Sequence, residues 1–92
     1  MSDKYVKDPA ERLDYSWDWA DWLADVADTI ESATVTLPEG LTAAGNTTHT
    51  DTLVTRRVEG GVLGSAHKMV CQITTVGGLI SERTITLTIA ER

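Results

Sequence analysis

A chain of 92 residues, 41% hydrophobic and 24% charged, is long enough for one hydrophobic core and too short for two. Its formal net charge of −6 excludes the basic surface that nucleic-acid binding needs. No stretch approaches the roughly 18 apolar residues of a membrane span, and the acidic start Met1-Ser2-Asp3 is not expected to act as a secretory signal.

The charge is unevenly placed. Residues 1–31 hold nine acids against three bases, whereas residues 32–92 hold five of each, so the first third carries the whole imbalance. Trp17, Trp19 and Trp22 lie there too, and no Phe, Tyr or Trp follows Trp22. In chain order, residues 1–12 read as an extended N-terminal arm, because Asp8-Pro9 interrupts any regular element and the flanks are polar. From Leu13 the residues Leu13, Tyr15, Trp17 and Trp19 recur at a spacing of two with Asp14, Ser16 and Asp18 between them, the pattern of a half-buried strand. A competing reading makes residues 14–28 one helix, since Asp14, Asp18, Asp21 and Asp25 recur at four, three and four. The aromatic alternation is the cleaner period and favours the strand. Residues 20–25 then fit a helical turn.

Threonine carries the fold signal in the remainder. All fourteen threonines fall between Thr29 and Thr88, and β-branched side chains suit strands. Residues 33–37 alternate and end at Pro38-Glu39-Gly40, a turn composition. Residues 45–51 read as a loop or a link between short strands. Val54, Arg56 and Val58 mark a strand closed by Gly60-Gly61. His67, Met69, Cys71 and Ile73 mark another, ending at Gly77-Gly78, and Ile85, Leu87 and Ile89 mark the last. Five or six strands joined by Gly/Pro/Asn turns predict an all-β fold: a small immunoglobulin-like antiparallel β-sandwich over residues 13–92, with the arm over 1–12.

Little in the chain is suited to catalysis. His67 stands in a strand pattern beside Met69 and Cys71, where a structural histidine is expected, and His49 lies in a threonine-rich loop. No Ser or Cys occupies a sharp glycine-flanked turn of the nucleophile type. Cys71 has no partner for an internal disulfide and reads as a small buried hydrophobe. Asp14, Ser16 and Asp18 have the spacing of calcium-loop ligands, but bulky aromatics fill the positions between them and no glycine precedes Gly40, so a solvated acidic edge is expected instead. Gly60, Gly61 and Gly64 lack the lysine of a phosphate loop and read as turns. No cofactor and no metal is expected. Alternation assigns Trp17 and Trp19 to the core face and leaves Trp22, beyond the strand, as the exposed contact residue.

The run DPAERLDYSWDWADWLAD, then TIESATVTLPEGLT, HTDT before a strand and a glycine pair, MVCQITTVGG and ERTITLTI resembles a family of small bacteriophage fiber–tail adaptor proteins over residues 8–92. The opening LDYSWDW…WLA is its most specific part. The resemblance implies a non-enzymatic virion protein, made in the bacterial host cytoplasm, that joins fiber to tail through protein–protein contacts in several symmetric copies. A capsid decoration or neck protein is the neighbouring alternative. A carbohydrate-binding module stacking sugars on Trp17, Trp19 or Trp22 is the alternative from another class. The residues expected to meet partners are Tyr5, Asp8, Pro9 and Arg12 of the arm, Trp22, and the pair Arg56 and Arg57. Arg56 departs from the alternation of its strand. It stands either at a sheet rim or against a partner's carboxylate.

Overall fold

The computed structural model describes residues 2–91. Strands make up 57% of the chain and the helix is short, so the all-β expectation holds. The elements are β1 (Ser2–Lys7), β2 (Leu13–Asp18), α1 (Ala20–Val26), β3 (Ile30–Thr36), β4 (Leu41–Ala43), β5 (Thr48–His49), β6 (Leu53–Gly60), β7 (Ala66–Thr75) and β8 (Ile80–Ile89). They form two sheets. One has the order β1-β8-β7-β3, and the other β2-β6-β4 with β5 also paired to β6.

The core lies between the sheets, and alternation decides which side chains enter it. On β7, His67, Met69, Cys71, Ile73 and Thr75 are buried. On β8 their counterparts are Ile85, Leu87 and Ile89. On β2, Tyr15 and Trp17 are buried and pair in register with Arg56 and Val54 of β6. Asp14, Ser16, Thr55 and Arg57 therefore point the other way, as a period of two requires. β3 joins β7 with an irregularity between Ile30 and Ser32, after which Ala33 and Val35 pack against the core.

α1 closes one end of the core. The backbone N–H of Trp19 donates to Thr52 O (2.9 Å), which turns the chain away from the sheet, and Asp18 Oδ1 accepts from Ala20 N–H. Leu23 is the buried residue of the helix. The helix stops at Ala27, which takes the left-handed conformation (φ 50°, ψ 51°) while Asp28 N–H donates back to Leu23 O. An alanine pays a steric penalty there that glycine avoids. Ala27→Gly is expected to stabilise the protein by up to about 1 kcal/mol, less what glycine's freer unfolded chain removes. A denaturant titration reads the sign directly.

Two expectations are corrected. Residues 2–7 do not form an extended arm. Ser2–Lys7 is a strand paired along its whole length with β8, and the pairing is parallel, from Ser2↔Thr84 to Lys7↔Ile89. The remaining strand pairs are antiparallel. Lys7 is fully buried, its Nζ donating to Gly60 O (2.6 Å) and Asp8 O (2.9 Å). Desolvation lowers its pKa below the ordinary lysine value, against the raising fields of Glu11, Asp8 and Glu59. The described residues also contain eight strands rather than five or six, because β1 lies in a polar, charged stretch and β4 and β5 are too short to show a period.

Candidate interaction site

The structure sorts the seven expected contact residues into two places. Six of them lie in the half of the sandwich remote from α1. Tyr5 is 45% exposed and sets its ring 5.5 Å from that of Tyr15, which itself stands opposite Arg56. Asp8 and Pro9 form a turn closed within itself: Asp8 Oδ1 accepts from Ala10 N–H, Asp8 N–H donates to Glu11 Oε1, and Glu11 N–H donates to Asp8 O. Arg12 pairs with Glu59 at 2.8 Å. Arg57 grips Asp14 with two bonds, Nε to Oδ1 (2.8 Å) and Nη2 to Oδ2 (3.1 Å), and this hydrogen-bonded guanidinium holds the Asp14 carboxyl below its usual pKa.

Arg56 lies on β6, between β2 and β4, and so not at a sheet rim. It shares a face with Val54 and Val58, is half-buried, and donates from Nη1 to Thr47 Oγ1 of its own chain (3.3 Å), while its Nε is buried without a partner. Trp22 is at the opposite end. It is half-buried, packs against the core and meets Trp19 edge-on (centroids 5.9 Å apart, 64° between planes), so it is less exposed than expected.

Trp17 and Trp19 are 3% and 0% exposed. The guanidinium of Arg83 covers the Trp19 ring at 4.3 Å and donates to Asp18 O (2.7 Å), tying β8 to the end of β2. Sugar stacking needs an open aromatic face, and neither of these indoles has one. Cys71 is buried, and burial pushes its thiol up to about 11, opposed by the neighbouring Trp19. A thiol so raised is a packing group at neutral pH. His67 is buried on the inner face and accepts at Nε2 from Val62 N–H (3.2 Å), fixing the loop after β6. His49 is exposed.

A cavity of about 260 Å³ opens on the outer face of the β2–β6 sheet, lined by Asp14, Arg57, Thr55, Thr48 and the 44–46 turn. Its charged groups are already bonded to each other. Among the described residues, no three His, Cys, Asp or Glu side chains converge as metal ligands, and no helix is long and apolar enough to cross a membrane.

Asp28 is a residue that sequence reasoning missed. Its carboxylate clamps the β7–β8 turn, accepting from Gly77 N–H with both oxygens (3.2 Å each) and from Thr29 N–H (2.9 Å). The Thr75 hydroxyl, then the Thr29 and Gly77 N–H groups, hold its pKa below 3.8. A Cβ on Gly77 would sit 2.5 Å from Asp28 Oδ2, so only glycine admits the clamp. Because the folded pKa lies below the unfolded one, the stabilisation is complete above the unfolded value and is lost as pH falls through the folded one. Asp28→Asn is expected to lower the unfolding midpoint at pH 7 and to make its fall below about pH 4 shallower. Urea titrations across that range check both. An unchanged acid limb would contradict it.

Taken together, these surfaces belong to a small β protein whose features lie in surface contacts and in a tightly held turn. The family described as podophage GP4 fiber-tail adaptor protein gp77 matches residues 7–88, and the chain belongs to that family of phage virion structural proteins. No curated protein matches the chain.

Proposed function

We propose that this protein joins a fiber to the tail of a phage particle by protein–protein contacts, present in several copies around the tail axis, without catalysing a reaction. The observation that carries this reading is the family match over residues 7–88, which takes in the last residue of β1 and every later element up to the last residue but one of β8. The body suits the task. Its two sheets enclose one continuous core, with the first strand parallel to the last, which supports reading it as an immunoglobulin-like sandwich. A rigid module of this kind transmits load between larger proteins, and cyclic repetition multiplies weak contacts into a lasting assembly. Its partners are other virion proteins of the tail and fiber.

The experiment is removal of the coding sequence from the phage genome that carries it, followed by electron microscopy of purified particles. Tails lacking fibers are the expected product. Particles that keep a full set of fibers would overturn the reading.

A further inference from the structure

An adaptor needs a face for each neighbour, and one end of this molecule has the make-up of such a face. The tip of the β7–β8 hairpin carries Val76, Leu79 and Ile80, which are 66%, 43% and 64% exposed, and Val26 at the end of α1 is exposed at the same end. Hairpin tips are ordinarily polar. This one is also held still. Besides the Asp28 clamp on Gly77, Val76 N–H donates to Thr29 O (3.0 Å), and Leu79 N–H donates to Thr75 Oγ1 (2.9 Å). Aliphatic groups fixed in water on a turn whose N–H groups are bonded add little to the fold, but they bind with little further ordering cost.

The charge around the tip narrows what can cover it. α1 and its flanks carry Asp18, Asp21, Asp25 and Asp28. Glu31, Asp51 and Glu82 stand on the strands and the turn nearest to them. Among the described residues of this half, the one Lys or Arg is Arg83, already engaged with Trp19 and Asp18. Seven acids against one base account for a charge of −6, the whole formal charge of the chain. A second copy presenting the same end would be repelled. The loop after β6 also exposes apolar side chains, Val62 and Leu63, but it lies at the far end, where bases such as Lys7, Arg12 and Arg57 offset the acids.

We infer that the tip formed by Val76, Leu79 and Ile80 docks into an apolar socket, bordered by lysine and arginine, on another protein of the particle. This rests on the adaptor reading and names the surface that reading leaves open. Three kinds of particle test it, made from the same genome: with the original chain, with Val76→Ser, Leu79→Ser and Ile80→Ser combined, and with Val62→Ser and Leu63→Ser combined. Copies per tail are measured by quantitative immunoblotting. The hairpin variant is expected to fall about ten-fold or more, and the loop variant to stay within about two-fold of the original.

A photo-reactive phenylalanine analogue placed at Leu79 keeps the test decisive even if the hairpin variant fails to fold. In the particle it is expected to cross-link to a basic, apolar segment of a different virion protein. Undiminished incorporation of a folded hairpin variant, loss in the loop variant instead, or a cross-link to a second copy or to a segment without lysine or arginine would each overturn the inference and leave the adaptor reading standing. Absence of the original chain from purified particles would overturn both.

Discussion

Lys7→Ala is expected to destabilise the protein by about 3 kcal/mol, from lost packing of the buried alkyl stem and from loss of the two hydrogen bonds that its ammonium donates. The side chain is fully enclosed, and its ammonium bonds to Gly60 O and Asp8 O, joining the end of β1 to the end of β6 in the other sheet. Lys7→Met separates the two contributions, since it keeps the stem and removes the donor. It is expected to cost about half as much. For a domain of this size, 3 kcal/mol corresponds to a fall in Tm of roughly 12–20 °C, easily read by calorimetry. A change under about 1 kcal/mol for Lys7→Ala would show that β1 contributes little to the sheet. The same reasoning applies to deletion of residues 1–7, which uncovers the edge of β8 and is expected to unfold the protein further than Lys7→Ala does.

Trp19→Ala is expected to cost about 4 kcal/mol, in the middle of the range for a buried aromatic. Trp19 is fully buried where β2 turns into α1, and it touches each part that closes this end. Trp22 packs on its edge, Arg83 covers its face, and its backbone N–H is bonded to Thr52. Arg83→Ala removes the cation–π contact and the bond to Asp18 O while leaving the indole, and is expected to cost about 1–2 kcal/mol. The two losses should not add, because Arg83 has no ring to cover once Trp19 is gone. A double-mutant cycle by urea unfolding measures that shortfall. Full additivity would mean that Arg83 acts independently of Trp19.

Much of this was legible along the chain, for a definite reason. The alternation of Tyr15, Trp17 and Trp19, of Met69, Cys71 and Ile73, and of Ile85, Leu87 and Ile89 is a local period, and a strand with one buried face obeys it without reference to its partner. The helical turn after Trp19 was visible because that period ends there. β1 was not visible. Its pairing partner lies some eighty residues away, and the fully buried side chain among those described in it is a lysine, which ordinary patterning reads as solvent-facing. Arg56 was conspicuous as a charge between two valines, but the group that accepts from it, the Thr47 hydroxyl, sits in a loop with no period at all. The Asp28 clamp was hidden likewise, since it joins residues 49 positions apart.

The formal charge of −6 shows where the division falls. Composition alone argues against a nucleic-acid surface, and position in the chain assigns the whole excess to residues 1–31. Folding redistributes it. Asp8, Glu11 and Asp14 go to the half where Lys7, Arg12, Arg56 and Arg57 balance the acids, while Glu31, Asp51 and Glu82 gather beside α1. Side-chain periodicity is written locally, so fold class and core faces can be read directly from residue order. Which charges and which exposed aliphatic groups share an end depends on how distant strands pair, and that only the closed sandwich decides.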